Sequence, residues 1–320
     1  MKTLFLLYAT TLFAIDGTVT NKTTGKPAAE IPLVLMRLGD GGMMPAGTVK
    51  SGPDGKFEFK QGVDGPLLLQ AIFDGVTYNK MLRPGETGKN VELEVYSTTA
   101  QNSAIKIVQH MMLVEPSDGK LTINESVIFR NDGKASYRDP EKGSYQFYVS
   151  PEAKASLQLR VSGPGNMPVN STPEPAGPAN VYKVAYALKP GESRFDTVYS
   201  IPFTSPGKLK GRILHPIGNE EGQTRLVTPS GVKLTGDGLE DLGAEPQTQA
   251  EVYALKKGDY ELEVTGTGSL RALEADESAM PEPQAIPSKI QERKWWIVGL
   301  SLMALAIGFL NLLRKPSSAA

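Results

Sequence analysis

The sequence predicts an all-β protein of two β-sandwich domains, or three if the larger region divides, followed by a stalk and a single C-terminal transmembrane helix. Three observations carry this. From Ile15 to about Val264 the apolar residues fall in short runs of period two, broken by Gly, Pro and Asp, with no helical period. Trp295 to Leu313 then runs nineteen residues without an ionisable side chain. Finally, the chain has no cysteine, so its domains must be held by packing rather than by disulfides.

At the N-terminus, Lys2 is followed by an apolar run from Thr3 to Phe13 that Ala14 closes, the form of a signal peptide over residues 1–14. A first sandwich is expected over 15–97. Ile15, Gly17 and Val19 alternate with polar partners; Ile31, Leu33 and Leu35 follow; Phe57 and Phe59 flank Glu58. Leu67, Leu69, Ala71 and Phe73 share one face, and Val91, Leu93 and Val95 another. Turn signals bound each run: Thr24-Gly25-Lys26-Pro27, Gly39-Asp40-Gly41-Gly42, Pro53-Asp54-Gly55, Val63-Asp64-Gly65-Pro66 and Arg83-Pro84-Gly85.

Within this region, the stretch Ile15-Asp-Gly-Thr-Val-Thr-Asn-Lys-Thr-Thr-Gly-Lys-Pro-Ala, an apolar strand, and then Ser51-Gly-Pro-Asp-Gly-Lys-Phe-Glu-Phe resemble the carboxypeptidase regulatory-like domain, a transthyretin-like β-sandwich. The resemblance covers roughly a quarter of the chain and specifies a fold better than a function. It implies a domain that is accessory to a peptidase or stands alone on envelope proteins, and no peptidase motif accompanies it here.

A second β region is expected over 103–268, as one sandwich or two modules. Ile105, Ile107 and His110 to Val114 form one strand candidate, and Leu121, Ile123, Val127 and Phe129 a long alternating one. Glu125 shares the parity of those four residues. A bulge that turns it to solvent is the expected resolution, and a buried pair with an arginine or a partner is the alternative. The order Leu-Thr-Ile-Asn-Glu, Arg-Asn-Asp-Gly, Tyr and then Tyr-Gln-Phe-Tyr-Val resembles a β-sandwich module found beside regulatory-like domains in bacterial envelope proteins.

Residues 269–294 turn to Ala, Glu, Pro, Ser and Gln, as in a solvated stalk. The span 295–313 would reach roughly 28 Å as a helix, close to the thickness of a bilayer core. Basic pairs flank it on both sides, so export from the N-terminus sets the expected topology: a single-pass membrane protein, mostly extracytoplasmic, with a cytoplasmic tail at 314–320.

The chemical inventory is thin. His110 and His215 are the two imidazoles, far apart in sequence and outside any zinc motif. Met43-Met44 and Met111-Met112 read as core and loop residues rather than thioether ligands. Gly85-Glu-Thr-Gly-Lys89 lacks phosphate-loop spacing, and Asp237, Glu240, Asp241 and Glu245 lack the spacing of a calcium loop. No Gly-x-Ser-x-Gly elbow occurs. No catalytic, cofactor or metal residue is therefore assigned, and no cofactor is expected. Net charge is -1 with signs interleaved, which excludes a nucleic-acid surface. The functional expectation is a membrane-anchored, non-enzymatic binding or scaffolding module of a cell envelope. Its partners would be the membrane and an envelope protein; the alternatives are an accessory subunit of a membrane transport or maturation complex and a carbohydrate-binding surface protein.

Overall fold

Asp118 and Gly119 both take positive φ, 54° and 72°, the backbone that a two-residue hairpin turn requires. They join two long strands, Ile105–Ser117 and Lys120–Asn131, which pair antiparallel from Ser117 opposite Lys120 back to Ile105 opposite Asn131. This hairpin is the centre of the second half of the molecule. The computed structural model describes residues 14–270 apart from 40–41, 61, 63–64, 85, 87, 166–167, 216, 218 and 221–222.

On one side of the hairpin, Lys120–Asn131 pairs antiparallel with Gly191–Pro202 along its whole length. On the other side, Ile105–Ser117 runs parallel to Thr224–Thr228, which pairs with Glu251–Leu255. Two smaller sheets, one built on Tyr145–Tyr148 and Val181–Val184 and one on Gly207–Arg212 and Asp259–Thr265, contribute to the same core. That core runs from Ile105 to Val264 and includes Phe129, Tyr145, Phe147 and Phe195.

A register shift between Ile107 and Gln109 changes the parity of the first hairpin strand. Before it, Ile105 and Ile107 face the core; after it, His110, Met112 and Val114 do. An unbroken alternation would have turned Gln109 inward and His110 to solvent. The Lys120–Asn131 strand shows no such shift, so Glu125 keeps the parity of Leu121, Ile123, Val127 and Phe129 and is buried with 6% exposure. The bulge expected at Glu125 is thus found on the neighbouring strand, where it turns a histidine inward.

Residues 15–95 pack a core of their own around Ile15, Leu33, Leu35, Phe57, Leu69 and Leu93. One sheet places Ile15–Asn21 between Lys56–Phe59, antiparallel, and Val91–Val95, parallel. The facing sheet orders Gly42–Lys50, Pro32–Gly39, Leu67–Phe73 and Val76–Leu82, all antiparallel. Its edge strand Gly42–Lys50 carries Pro45 and a register shift beside it, two features that spoil an edge for strand addition.

The described residues correct the expected architecture at its C-terminal end. Their one helical element is the six-residue 3-10 turn Pro151–Ser156, which at about 2 Å per residue falls well short of a bilayer core. Among the described residues no helix is long and apolar enough to cross a membrane. Residues 295–313, expected to span, lie outside the described residues, as do 1–13 of the expected signal peptide and 271–294 of the expected stalk. The single-pass topology, the extracytoplasmic location, the membrane as partner and the anchored envelope scaffold are therefore not carried forward. The accessory-subunit and envelope-protein readings rested on the same placement and fall with it, and the carbohydrate-binding surface protein, which rested on fold analogy, is not supported either. What stands is an all-β architecture of several sheets.

Gly17 tests the first sandwich. It sits where Ile15–Asn21 meets both neighbours, and a methyl group there would overlap the Val91 carbonyl and the Phe57 ring. Gly17→Ala is expected to destabilise the protein by about 1–3 kcal/mol through overpacking, read as a lower urea midpoint. An unchanged midpoint would refute the close approach.

Candidate functional site

The buried Glu125 carboxylate organises a polar cluster inside an otherwise apolar core. Its Oε1 accepts a hydrogen bond from the Tyr145 hydroxyl at 2.9 Å and faces His110 Nε2 at 2.9 Å. Tyr145 is fixed among Phe129, Phe147 and Phe195, with ring centroids 5.2–6.0 Å away. Burial and the adjacent Glu125 charge raise its phenol well above the usual range, so the hydroxyl keeps its proton and acts as the donor. The hydrogen-bond network assigns the His110 proton to Nε2, pointing at the carboxylate, and leaves a lone pair on Nδ1.

That lone pair faces two groups. His215 Nε2 lies 3.0 Å from His110 Nδ1, and Thr224 Oγ1 lies 3.0 Å from the same atom. Thr224 arrives on the strand that runs parallel to the histidine strand, and His215 follows the Gly207–Arg212 strand. The two imidazoles meet edge to face, with centroids 5.1 Å apart. His110 is 4% exposed, His215 is half-buried, and a cavity of about 370 Å³ lined by His110, Gln109, Gln223 and Arg225 opens beside His110. A carboxylate, two imidazoles and a hydroxyl thus form one chain of contacts from the core outward.

The other residues singled out from the sequence do not converge. Met112 is in the core, whereas Met43 and Met44 are exposed on the edge strand of the first sandwich. Asp237 pairs with Lys257 and Glu240 with Lys256, while Asp241 and Glu245 accept backbone hydrogen bonds from their own loop. Among the described residues, no group of three or more His, Asp or Glu is placed to share one metal ion. Lys89 pairs with Asp16 at 2.6 Å, and Asn90 N donates to the same carboxylate, which these partners hold below its usual range. That loop is a clasp on the first strand, not a phosphate cradle.

A second polar constellation lies where the two cores meet. Ser136–Tyr137 pairs in parallel with Thr98–Thr99. The Tyr78 hydroxyl donates to the Tyr96 carbonyl at 2.8 Å and lies 3.0 Å from Ser136 Oγ. Lys189, 8% exposed, crosses this seam to donate to the Thr77 carbonyl at 2.6 Å, with Nζ 4.7 Å from the centre of the Tyr78 ring. Burial pulls its ammonium down from 10.5 to about 8. One carbonyl and one ring face oppose that shift but do not replace the water which the group has lost. A cleft of about 670 Å³ borders Lys189. Nothing in the sequence marks this lysine, because its burial is created by contacts between the two cores.

No family model matches the sequence, and no curated protein matches it. Among solved structures the chain is similar to a two-domain M1 zinc metallopeptidase, at 10% identity and a TM-score of 0.26, covering 52% of this chain and 44% of that one. It is also similar to a putative protease from Parabacteroides distasonis, at 12% identity and a TM-score of 0.30, covering 54% of this chain and 38% of that one. The chain spans less than half of either, and likenesses of this degree carry no argument about fold or activity.

Two measurements probe these constellations. Glu125→Ala strips Tyr145 and His110 of their shared acceptor and is expected to cost about 3 kcal/mol in urea unfolding. A loss within about 0.5 kcal/mol, as for a surface change, would place the carboxylate in water. For Lys189, the folded value lies below the unfolded one, so between about pH 8 and 10.5 the unfolded chain holds the extra proton. Stability from this group therefore rises with pH across that window, and below it the buried ammonium opposes folding in full. The difference between wild type and Lys189→Met should grow in favour of wild type from pH 8 to 10; a flat difference would mean a normally titrating lysine.

Proposed function

We propose that the protein binds a divalent transition-metal ion between His110 Nδ1 and His215 Nε2, and that it holds this ion without catalysing a reaction. The observation that carries the reading is that the two histidines of the chain, 105 residues apart, stand with ring nitrogens 3.0 Å apart. Imidazole nitrogens at about 2.0–2.1 Å from one ion lie about 2.9 Å apart at a right angle and about 3.3 Å apart at the tetrahedral angle. The observed separation lies between these, so an ion can replace the hydrogen bond once both rings turn their lone pairs toward a common point and the shared proton leaves.

The surroundings support the same reading. Glu125 behind His110 is the outer carboxylate that orients a ligating imidazole and raises its basicity. Imidazole suits zinc, copper and nickel, and two protein nitrogens leave further positions for water from the adjoining cavity. The hydroxyl, imidazole and carboxylate of Thr224, His110 and Glu125 also have the spacing of a nucleophile relay. Thr224 is 4% exposed, so a substrate carbonyl does not reach its hydroxyl, and binding is favoured over transformation.

Calorimetric titration of the chelator-treated full chain with Zn²⁺, Ni²⁺ and Cu²⁺ is the test. One equivalent should bind, and at about 100-fold excess over the dissociation constant the ion should add about 2.7 kcal/mol to stability. His215→Ala, which removes a half-buried ring, should abolish binding and leave the apo protein folded. No binding, or equal binding by wild type and variant, would reduce the histidine contact to a hydrogen bond.

A further inference from the structure

We propose that Lys189 is a covalent attachment site for small aldehydes, its ε-amine forming a reversible imine inside the cleft at the seam between the two sandwich cores. Imine formation needs a neutral amine, room for the carbonyl carbon beside it and a wall that limits water. Lys189 Nζ lies over the Tyr78 ring at the seam, tied to a single backbone carbonyl, that of Thr77. Lys189 is among the residues that line the roughly 670 Å³ cleft, together with Tyr78, Tyr96, Pro164 and Pro190. A desolvated lysine in such a setting is the usual form of an imine-forming residue.

The ionisable groups lining the cleft do not reverse this state. Lys80 and Arg83 contribute two positive charges, and Glu86, Glu92 and Glu94 three negative ones. Glu94 is engaged by Lys22 at 3.2 Å and by the Tyr96 hydroxyl at 3.0 Å. The lysine is thus met by a carbonyl and an aromatic face. With the lowered value the neutral fraction at pH 7.5 is roughly a quarter, against roughly one part in a thousand for an ordinary exposed lysine.

The chemistry balances without an added oxidant or reductant. The Nζ lone pair bonds to the aldehyde carbon as the carbonyl π pair moves onto oxygen, and the proton that the nitrogen sheds passes to that oxygen, giving a carbinolamine. The nitrogen lone pair then expels the hydroxyl, which takes a proton from solvent and leaves as water, and the resulting iminium N–H returns a proton to solvent to leave the imine. Water adds back to reverse the sequence. Charges in the cleft nearly cancel, so a small uncharged aldehyde fits better than a polyanionic one.

The experiment uses the full chain with propanal and cyanoborohydride, which traps the imine as a propylated amine, followed by peptide mapping. At pH 7.5 Lys189 should be modified about ten-fold faster than Lys50 or Lys56, whose side chains are 67% and 74% exposed. The rate at Lys189 should reach half its maximum near pH 8 rather than near 10, and its advantage should vanish in urea. Equal or slower modification of Lys189 would overturn the proposal by showing the amine unreachable. A preference that persists in urea would also overturn it, by assigning the reactivity to local sequence instead of the cleft.

Discussion

A carboxylate buried on the apolar face of a sheet constrains everything around it. Glu125 occupies a position where Leu121, Ile123, Val127 and Phe129 build the core, and an unpartnered carboxylate there would cost several kcal/mol. The fold answers with two donors from different elements: Tyr145 from the small facing sheet and His110 from the other arm of the hairpin. Each donor is fixed by its own device. Tyr145 is held among aromatic rings, and His110 is turned inward by the register shift at Ile107 to Gln109. A single polar requirement thus explains why the bulge, the aromatic cluster and the hydroxyl of Tyr145 occur together.

The same requirement sets the histidine pair. Because Nε2 of His110 is committed to the carboxylate, Nδ1 is presented outward to Thr224 and His215. The strand that brings Thr224 runs parallel along the middle of the Ile105–Ser117 strand, so the site combines a buried inner half with a half-buried outer one. In the metal site proposed above, His110 would supply a nitrogen oriented by the carboxylate behind it and His215 the more exposed one.

The seam between the two cores follows a different rule. Short parallel pairing at Thr98–Thr99 and Ser136–Tyr137 supplies only a few backbone bonds, and side chains complete it. Tyr78 bridges to both Tyr96 and Ser136, Thr23 Oγ1 reaches the Lys134 carbonyl at 2.6 Å, and Lys189 spans the gap. A lysine is long enough for that span, but burying its amine weakens its charge. The lowered basicity of Lys189 is a by-product of this join between the two cores.

The sequence by itself determined the all-β class, because period-two alternation and Gly/Asp turns are local signals. Phe57 and Phe59 enter the first core as their spacing dictates. It also marked Glu125 as anomalous from parity alone. It did not show that the anomaly would be resolved by burial, since a parity argument treats each strand alone and the shift that matters lies on the neighbour. His110 and His215 could be read only as isolated residues, because 105 positions separate them and sequence spacing carries no information about contacts across a sheet. Lys189 was equally silent, since nothing in Leu188-Lys189-Pro190 distinguishes a buried lysine from an exposed one. The apolar run at 295–313 has the composition of a membrane anchor, a property that identifies a hydrophobic segment but not its surroundings. Local periodicity is written in adjacent residues, whereas burial and the meeting of side chains exist only once the strands have found their neighbours.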